Sequence, residues 1–201
     1  MLLRQQLQIT VPSMKIQHSK TENLASYAEH LKALNDQDCY TRFGYMATDQ
    51  SIDQLILNVL YNIDNHHMFT YSIDNQIVGF GHLARENSDW ELAVSVDETH
   101  QGAGIANALV SHMIAWGKTH GIAVVYMHCI VDNKKIQHLA KKHGLRSLER
   151  NGSDITARVQ LPKATVFDYT STLVQEQNEL ATDIVKLQRS WIRKWFQLIA
   201  Q

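Results

Sequence analysis

The sequence predicts a mixed α/β fold, and three observations carry that expectation. Residues 68–96 read as three strand-like runs joined by two short turns, which is the pattern of an antiparallel meander. A small-residue loop, Gly102-Ala103-Gly104, leads from the last of these runs into an amphipathic helix. After that helix, residues 122–131 are apolar almost throughout, as expected for a strand buried on both faces.

The remaining elements fall around these. Residues 14–19 read as a strand, followed by an amphipathic helix from about Thr21, its expected cap, to Leu34. Residues 35–49 are turn-rich. Ile52, Leu55, Ile56, Val59 and Leu60 then repeat with helical spacing, giving a second helix over 51–61. In the meander, Asp74-Asn75 and the segment 86–89 supply the turns. The helix after the glycine loop runs from about Gly104 to His120, with Ile105, Leu109, Met113 and Trp116 on one face and Gly121 as its stop. Asn133 to His143 forms a short helix ended by Gly144. Two last strands flank an Asn151-Gly152 turn, and Pro162 closes this part of the chain.

Composition narrows the function. The 201 residues carry 19 basic and 20 acidic side chains, interspersed along the chain, so no broad basic face for nucleic acid is expected. Two cysteines, Cys39 and Cys129, lack CxxC spacing and argue against a disulfide framework or zinc cluster. The 11 histidines include no HExxH and no well-spaced ligand pair, so no metal site is expected. No run approaches the ~20 apolar residues of a membrane span, and the first residues lack a signal-like apolar core. A soluble cytoplasmic protein is the expectation.

The stretch that carries chemistry is 94–107, where a strand passes through Gln101-Gly102-Ala103-Gly104-Ile105-Ala106 into a helix. Small residues let the backbone turn its N–H groups into one concavity, and the helix N-terminus adds about half a positive charge. Such a loop binds phosphate without a lysine. It is not a dinucleotide fingerprint: Asp97 to Gln101 separate strand from glycines, Asn107 stands where the third glycine belongs, and a meander precedes it.

These residues resemble the pyrophosphate loop Q/R-x-x-G-x-G/A of the GCN5-related N-acetyltransferase (GNAT) family, with every fixed position matched. The order of elements from about 14 to 161 is also similar to that family's. The resemblance implies a GNAT-like mixed sheet with splayed central strands and acetyl-CoA as co-substrate. It implies that backbone amides of Gln101, Gly102, Ala103, Gly104, Ile105 and Ala106 hold the pyrophosphate. Val94 and Val96 would offer main-chain groups to the pantetheine. Asn133 matches an asparagine that contacts CoA, a role compatible with capping its helix.

Transfer requires a neutral amine, because an amine of pKa near 10.4 is almost wholly protonated at pH 7. Glu91, an acidic residue in the apolar run WELAVSV, is the candidate general base, and burial there is expected to raise its pKa. The family often places a tyrosine acid seven residues after the asparagine. That position is Ala140, which leaves water, Tyr126 or another hydroxyl as donor. Cys129 reads as a packed thiol. Tyr40 and Arg42, between the first two helices, resemble an acceptor-side segment.

The expected division is an N-terminal extension over 1–13, an acetyl-CoA-binding N-acetyltransferase domain over 14–162 and a C-terminal helical extension over 163–201. In the last, Leu173, Leu180, Ile184, Leu187, Trp191 and Leu198 form a stripe, with acidic residues early and basic residues late. A long amphipathic helix is expected there, most simply pairing two copies into a homodimer, with packing on its own domain as the alternative. The functional expectation is an N-acetyltransferase acting on a primary amine of a small molecule or protein; the alternative is an acyl-CoA-binding sensor with little turnover.

Overall fold

The computed structural model describes residues 14–165, 168 and 169. The extension over 1–13 and the amphipathic helix expected from 170 onward lie outside the described residues.

One seven-stranded sheet organises the described chain, in the order β1-β2-β3-β4-β5-β7-β6. Its strands are β1 (Met14–Ser19), β2 (His66–Ile73), β3 (Gln76–Glu86), β4 (Asp89–Val96), β5 (Val124–Ile130), β6 (Ser147–Asn151) and β7 (Asp154–Gln160). The meander β2-β3-β4 is antiparallel as expected. β4 and β5 run parallel because α4 (Ile105–Thr119) crosses between them. Only Trp90 with Val125 and Glu91 with Tyr126 pair across that junction. The sheet therefore splits from Leu92 onward.

Helices cover both faces and bury two apolar clusters. On one face α4 and α5 (Lys134–Lys142) close over Phe69, Leu83, Leu92, Leu109, Met113, Val125 and Met127. α4 sits tightly on β3: a Cβ on Gly81 would lie 2.8 Å from the Met113 sulfur, so the glycine permits that approach. On the other face α1 (Leu24–Lys32) and α3 (Asp49–Tyr61) bury Tyr27, Leu31, Ile52, Val59, Met68 and Phe80. Each fully buried side chain of this kind contributes roughly 1.5–3 kcal/mol.

Three local expectations change. A third helix, α2 (Asp36–Phe43), replaces the start of the turn-rich segment 35–49. Asn35 caps it by accepting from the Asp38 amide at 2.8 Å, and Gly44 closes it at φ +77°. Its composition hid it, for only Cys39 is buried and no apolar stripe shows. Second, Thr21 does not cap α1; Asn23 stands at that position without a side-chain bond. Third, β5 is buried on both faces as expected except at His128, which is exposed between the buried Tyr126 and Ile130 of the same face.

Most histidines of β1, β2 and α4 pack together. His18 and His67 share a hydrogen bond at 3.1 Å, both contact Trp116, and His112 lies edge-on to Phe69. Burial lowers His18 and His112 to about 4 and His67 to about 3, with neighbouring histidines and Lys20 adding to it at His18 and His67 and Glu22 opposing it at His18. The unfolded chain therefore binds protons that the folded chain excludes as pH falls below ~6.5. Stability from this cluster is full above that value and is lost toward pH ~4, a change on the order of a few kcal/mol. Thermal melts between neutral pH and about pH 4 should show a steep fall that replacing His67 with Phe reduces; an unaltered slope would contradict it.

Candidate active site

The sheet's split opens a cleft of about 1120 Å³ on the face that carries α1, α2 and α3. Its walls come from the end of α2, from α3, from β2, β3, β4 and β5, and from the β6-β7 hairpin. Alternation along β4 sends Glu91, Ala93 and Ser95 to one face, and the first two line this cleft. Val94 joins the opposite cluster against α4. A one-residue shift of register would exchange these sets.

Glu91 is half-buried at the last paired position before the split. Arg42, from the last turn of α2, lines the same cleft and donates from Nη2 to the Tyr27 hydroxyl at 3.2 Å. Burial opposes the Arg42 charge, but Tyr27, Glu91 and Tyr45 outweigh it and keep the guanidinium above its ordinary value. Its positive charge thus acts on Glu91 without an ion-pair contact among the described residues. Tyr40, the other acceptor-side expectation, is 42% exposed and lies off the cleft lining.

The glycine loop occupies the far end of β4. Gln101 donates through Nε2 to Asp38 Oδ2 at 2.8 Å and to the Val96 carbonyl at 3.3 Å, tying the loop to α2 and to β4. Gly102 and Gly104 have φ of +78° and +84°, and a Cβ at either position would meet nothing within 4 Å beyond its chain neighbours. Ala103 between them is exposed. Ile105 and Ala106 open α4, so their amides have no partner within the helix, and Gly104 caps it without a side chain. An open, anion-accepting cradle of this kind fits a pyrophosphate. Val94 and Val96 lie beyond the last position paired with β5, and of their main-chain groups the Val96 carbonyl is already taken by Gln101. Asn133 caps α5 by accepting from the Ile136 amide at 3.0 Å, and its amide nitrogen remains a donor.

Other residues at the site had no sequence signal. His66 and His82 share a hydrogen bond at 3.0 Å at the base of the cleft, each buried and lowered in pKa chiefly by burial, so one neutral ring donates to the other. His128 bonds Thr156 across β5 and β7 at 2.9 Å. His30 of α1 lies between Ser95 and Asp97, 2.8 Å from each. His30 lies 65 residues from Ser95 in the chain, and only the fold unites them.

The hydroxyl of Tyr126 donates to Glu86, and burial followed by Glu86 raises its pKa, so that proton is engaged with Glu86. Ala140 is 1% exposed in the core and offers no hydroxyl. Cys129 borders the cleft but is buried, and burial pushes its thiol up. Among the described residues no group of three or more His, Cys, Asp or Glu could hold a metal ion, and no helix is long and apolar enough to cross a membrane.

The chain belongs to the GNAT acetyltransferase family: residues 29–145 match the model described as the Acetyltransferase (GNAT) family. Curated proteins yield no match. Solved structures share the fold at low identity. The GNAT domain of S. lividans PAT aligns with TM-score 0.62 at 16% identity, covering 74% of this chain and 90% of that one. The spermidine N-acetyltransferase of Vibrio cholerae, in complex with CoA and spermine, gives 0.57 at 16%, covering 74% and 95%. The ribosomal-protein-S18-alanine N-acetyltransferase of Escherichia coli gives 0.58 at 14%, covering 77% and 97%.

Proposed function

We propose that this protein transfers an acetyl group from acetyl-CoA to a primary amine, with direct attack of the amine on the thioester. The observation that carries the reading is the split between β4 and β5 immediately after Glu91, with an open phosphate cradle at the other end of β4. In this reading the amides from Gly102 to Ala106 hold the pyrophosphate, since the Gln101 amide already donates to the Glu98 carbonyl at 3.3 Å, and the β4 edge at Val94 and Val96 receives the pantetheine. Asn133 adds a side-chain donor. That arrangement delivers the thioester to the cleft that Glu91 and Arg42 line.

Glu91 then accepts the ammonium proton, directly or through water, and the neutral amine attacks the carbonyl carbon. Holding both reactants in one cleft supplies the orientation that a bimolecular reaction in water lacks. Solved structures of the same fold that carry CoA, such as the spermidine enzyme, support acetyl-CoA as the donor. Two free buried thiols suit a reducing cytoplasm.

The absence of a hydroxyl at Ala140 supports the second reading, an acyl-CoA sensor with little turnover. Release of CoA thiol in the presence of a panel of small amines and N-terminal peptides separates the two. Amine-dependent release supports the transferase; tight acetyl-CoA binding without release for any amine supports the sensor.

A further inference from the structure

His30 brings a second reactive group to the end of β4, beyond its last pairing with β5. Its Nδ1 lies 2.8 Å from Asp97 Oδ1 and its Nε2 lies 2.8 Å from Ser95 Oγ. A carboxylate only accepts, so the proton on the neutral ring belongs to Nδ1 and points at Asp97. Nε2 then presents a lone pair to Ser95, whose hydroxyl donates to it. Burial lowers the His30 pKa despite Asp97 beside it, so the ring is neutral at pH 7 and free to take a proton. The His30 side chain is only 6% exposed, packs 5.0 Å from the Phe80 ring, and has little freedom to leave this geometry.

The position of Ser95 gives the arrangement a substrate. It follows Glu91 and Ala93 on the cleft face of β4, lies between Val94 and Val96, and is half-buried rather than sealed. β4 has lost β5 at this level, so Ser95 stands beside the edge where an acyl-CoA thioester would run. A hydroxyl within reach of a base, itself oriented by a carboxylate, is the general arrangement of an activated nucleophile.

We propose that Ser95, His30 and Asp97 form a nucleophilic site that takes the acyl group from the thioester and passes it to water when no amine is present, making the protein an acyl-CoA hydrolase as well. The inference rests on the reading that the split between β4 and β5 binds acyl-CoA. Ser95 Oγ attacks the carbonyl carbon as its proton moves to His30 Nε2, and Asp97 stabilises the imidazolium through Nδ1–H. The C–S bond breaks, and the sulfur takes the proton from Nε2 and leaves as CoA thiol. Water next attacks the Ser95 ester, giving its proton to His30. Serine departs as the ester bond breaks and recovers that proton, so acetyl-CoA and water become CoA thiol and acetic acid, which ionises to acetate and a proton.

The test uses the full chain with acetyl-CoA and no amine, following thiol release, the mass of the intact protein and acetyl-CoA binding by calorimetry. The expected result is steady thiol release with one acetyl group mapped to Ser95 after rapid acid quench. S95A should remove both, and D97N should slow release by about 100-fold or more through loss of the tautomer. Thermal melts of both variants establish that they fold, and H30Q, which keeps a donor and acceptor at this place, provides an independent variant. Release that persists in S95A, or its absence in a wild-type protein that binds acetyl-CoA, overturns the nucleophilic site and leaves the transferase reading standing. A wild-type protein that does not bind acetyl-CoA overturns both.

Discussion

Glu91→Gln is expected to lower amine acetylation by about two to four orders of magnitude at neutral pH, the usual range for loss of a general base. The substitution keeps the size and planarity of the side chain and removes its capacity to hold a proton. Glu91 lies at the last rung between β4 and β5, half-buried, on the cleft wall that Arg42 shares. Acetyl-CoA affinity should change little, because the cradle lies at the opposite end of β4. Steady-state kinetics with calorimetry on the same preparation make the comparison. The loss should fall on kcat with acetyl-CoA affinity within a few-fold, and a full-rate variant would assign the proton to another group.

Gly104→Val should eliminate measurable acetyl-CoA binding, weakening it by about 100-fold or more, through backbone geometry rather than crowding within the protein. Gly104 has φ +84°, and the space that a side chain would enter there is open. The difficulty is that a β-branched residue in the left-handed region carries strain of order 1–3 kcal/mol. The loop relieves it by turning, which swings the first amides of α4 away from the position where they converge. Stability should fall only by that order, since no core contact is lost. Gly104→Ala, with less strain in the same open space, should bind with intermediate affinity. Unchanged affinity in Gly104→Val by calorimetry would remove the pyrophosphate reading of this loop.

The residues around these two positions differ in how far the chain alone reveals them. The glycine loop was legible because its signals are local: Gln101 through Ala106 are consecutive, and both positive-φ positions are glycines. Asn133 was legible for the same reason, since a cap and its amide partner lie three residues apart. Glu91 stood out as a carboxylate in an apolar run, though its partial burial and the charge of Arg42 follow from packing. The helix α2 was missed where its own signals existed, in Asn35, Asp38 and Gly44, because apolar periodicity outweighed end signals in reading a polar segment.

By itself the sequence determined the order of the strands and of every described α-helix but α2, the meander, the glycine loop and the presence of a carboxylate in the apolar run of β4, because turn chemistry and periodicity act over a few residues. Tertiary structure alone decided that β5 pairs β4 for only two residues, that Arg42 reaches the cleft while Tyr40 does not, and that His30 meets Ser95 and Asp97. Those outcomes depend on sheet register and on the angle at which helices seat upon it. They are set by the packing of the whole described chain, so no short window of residues contains them.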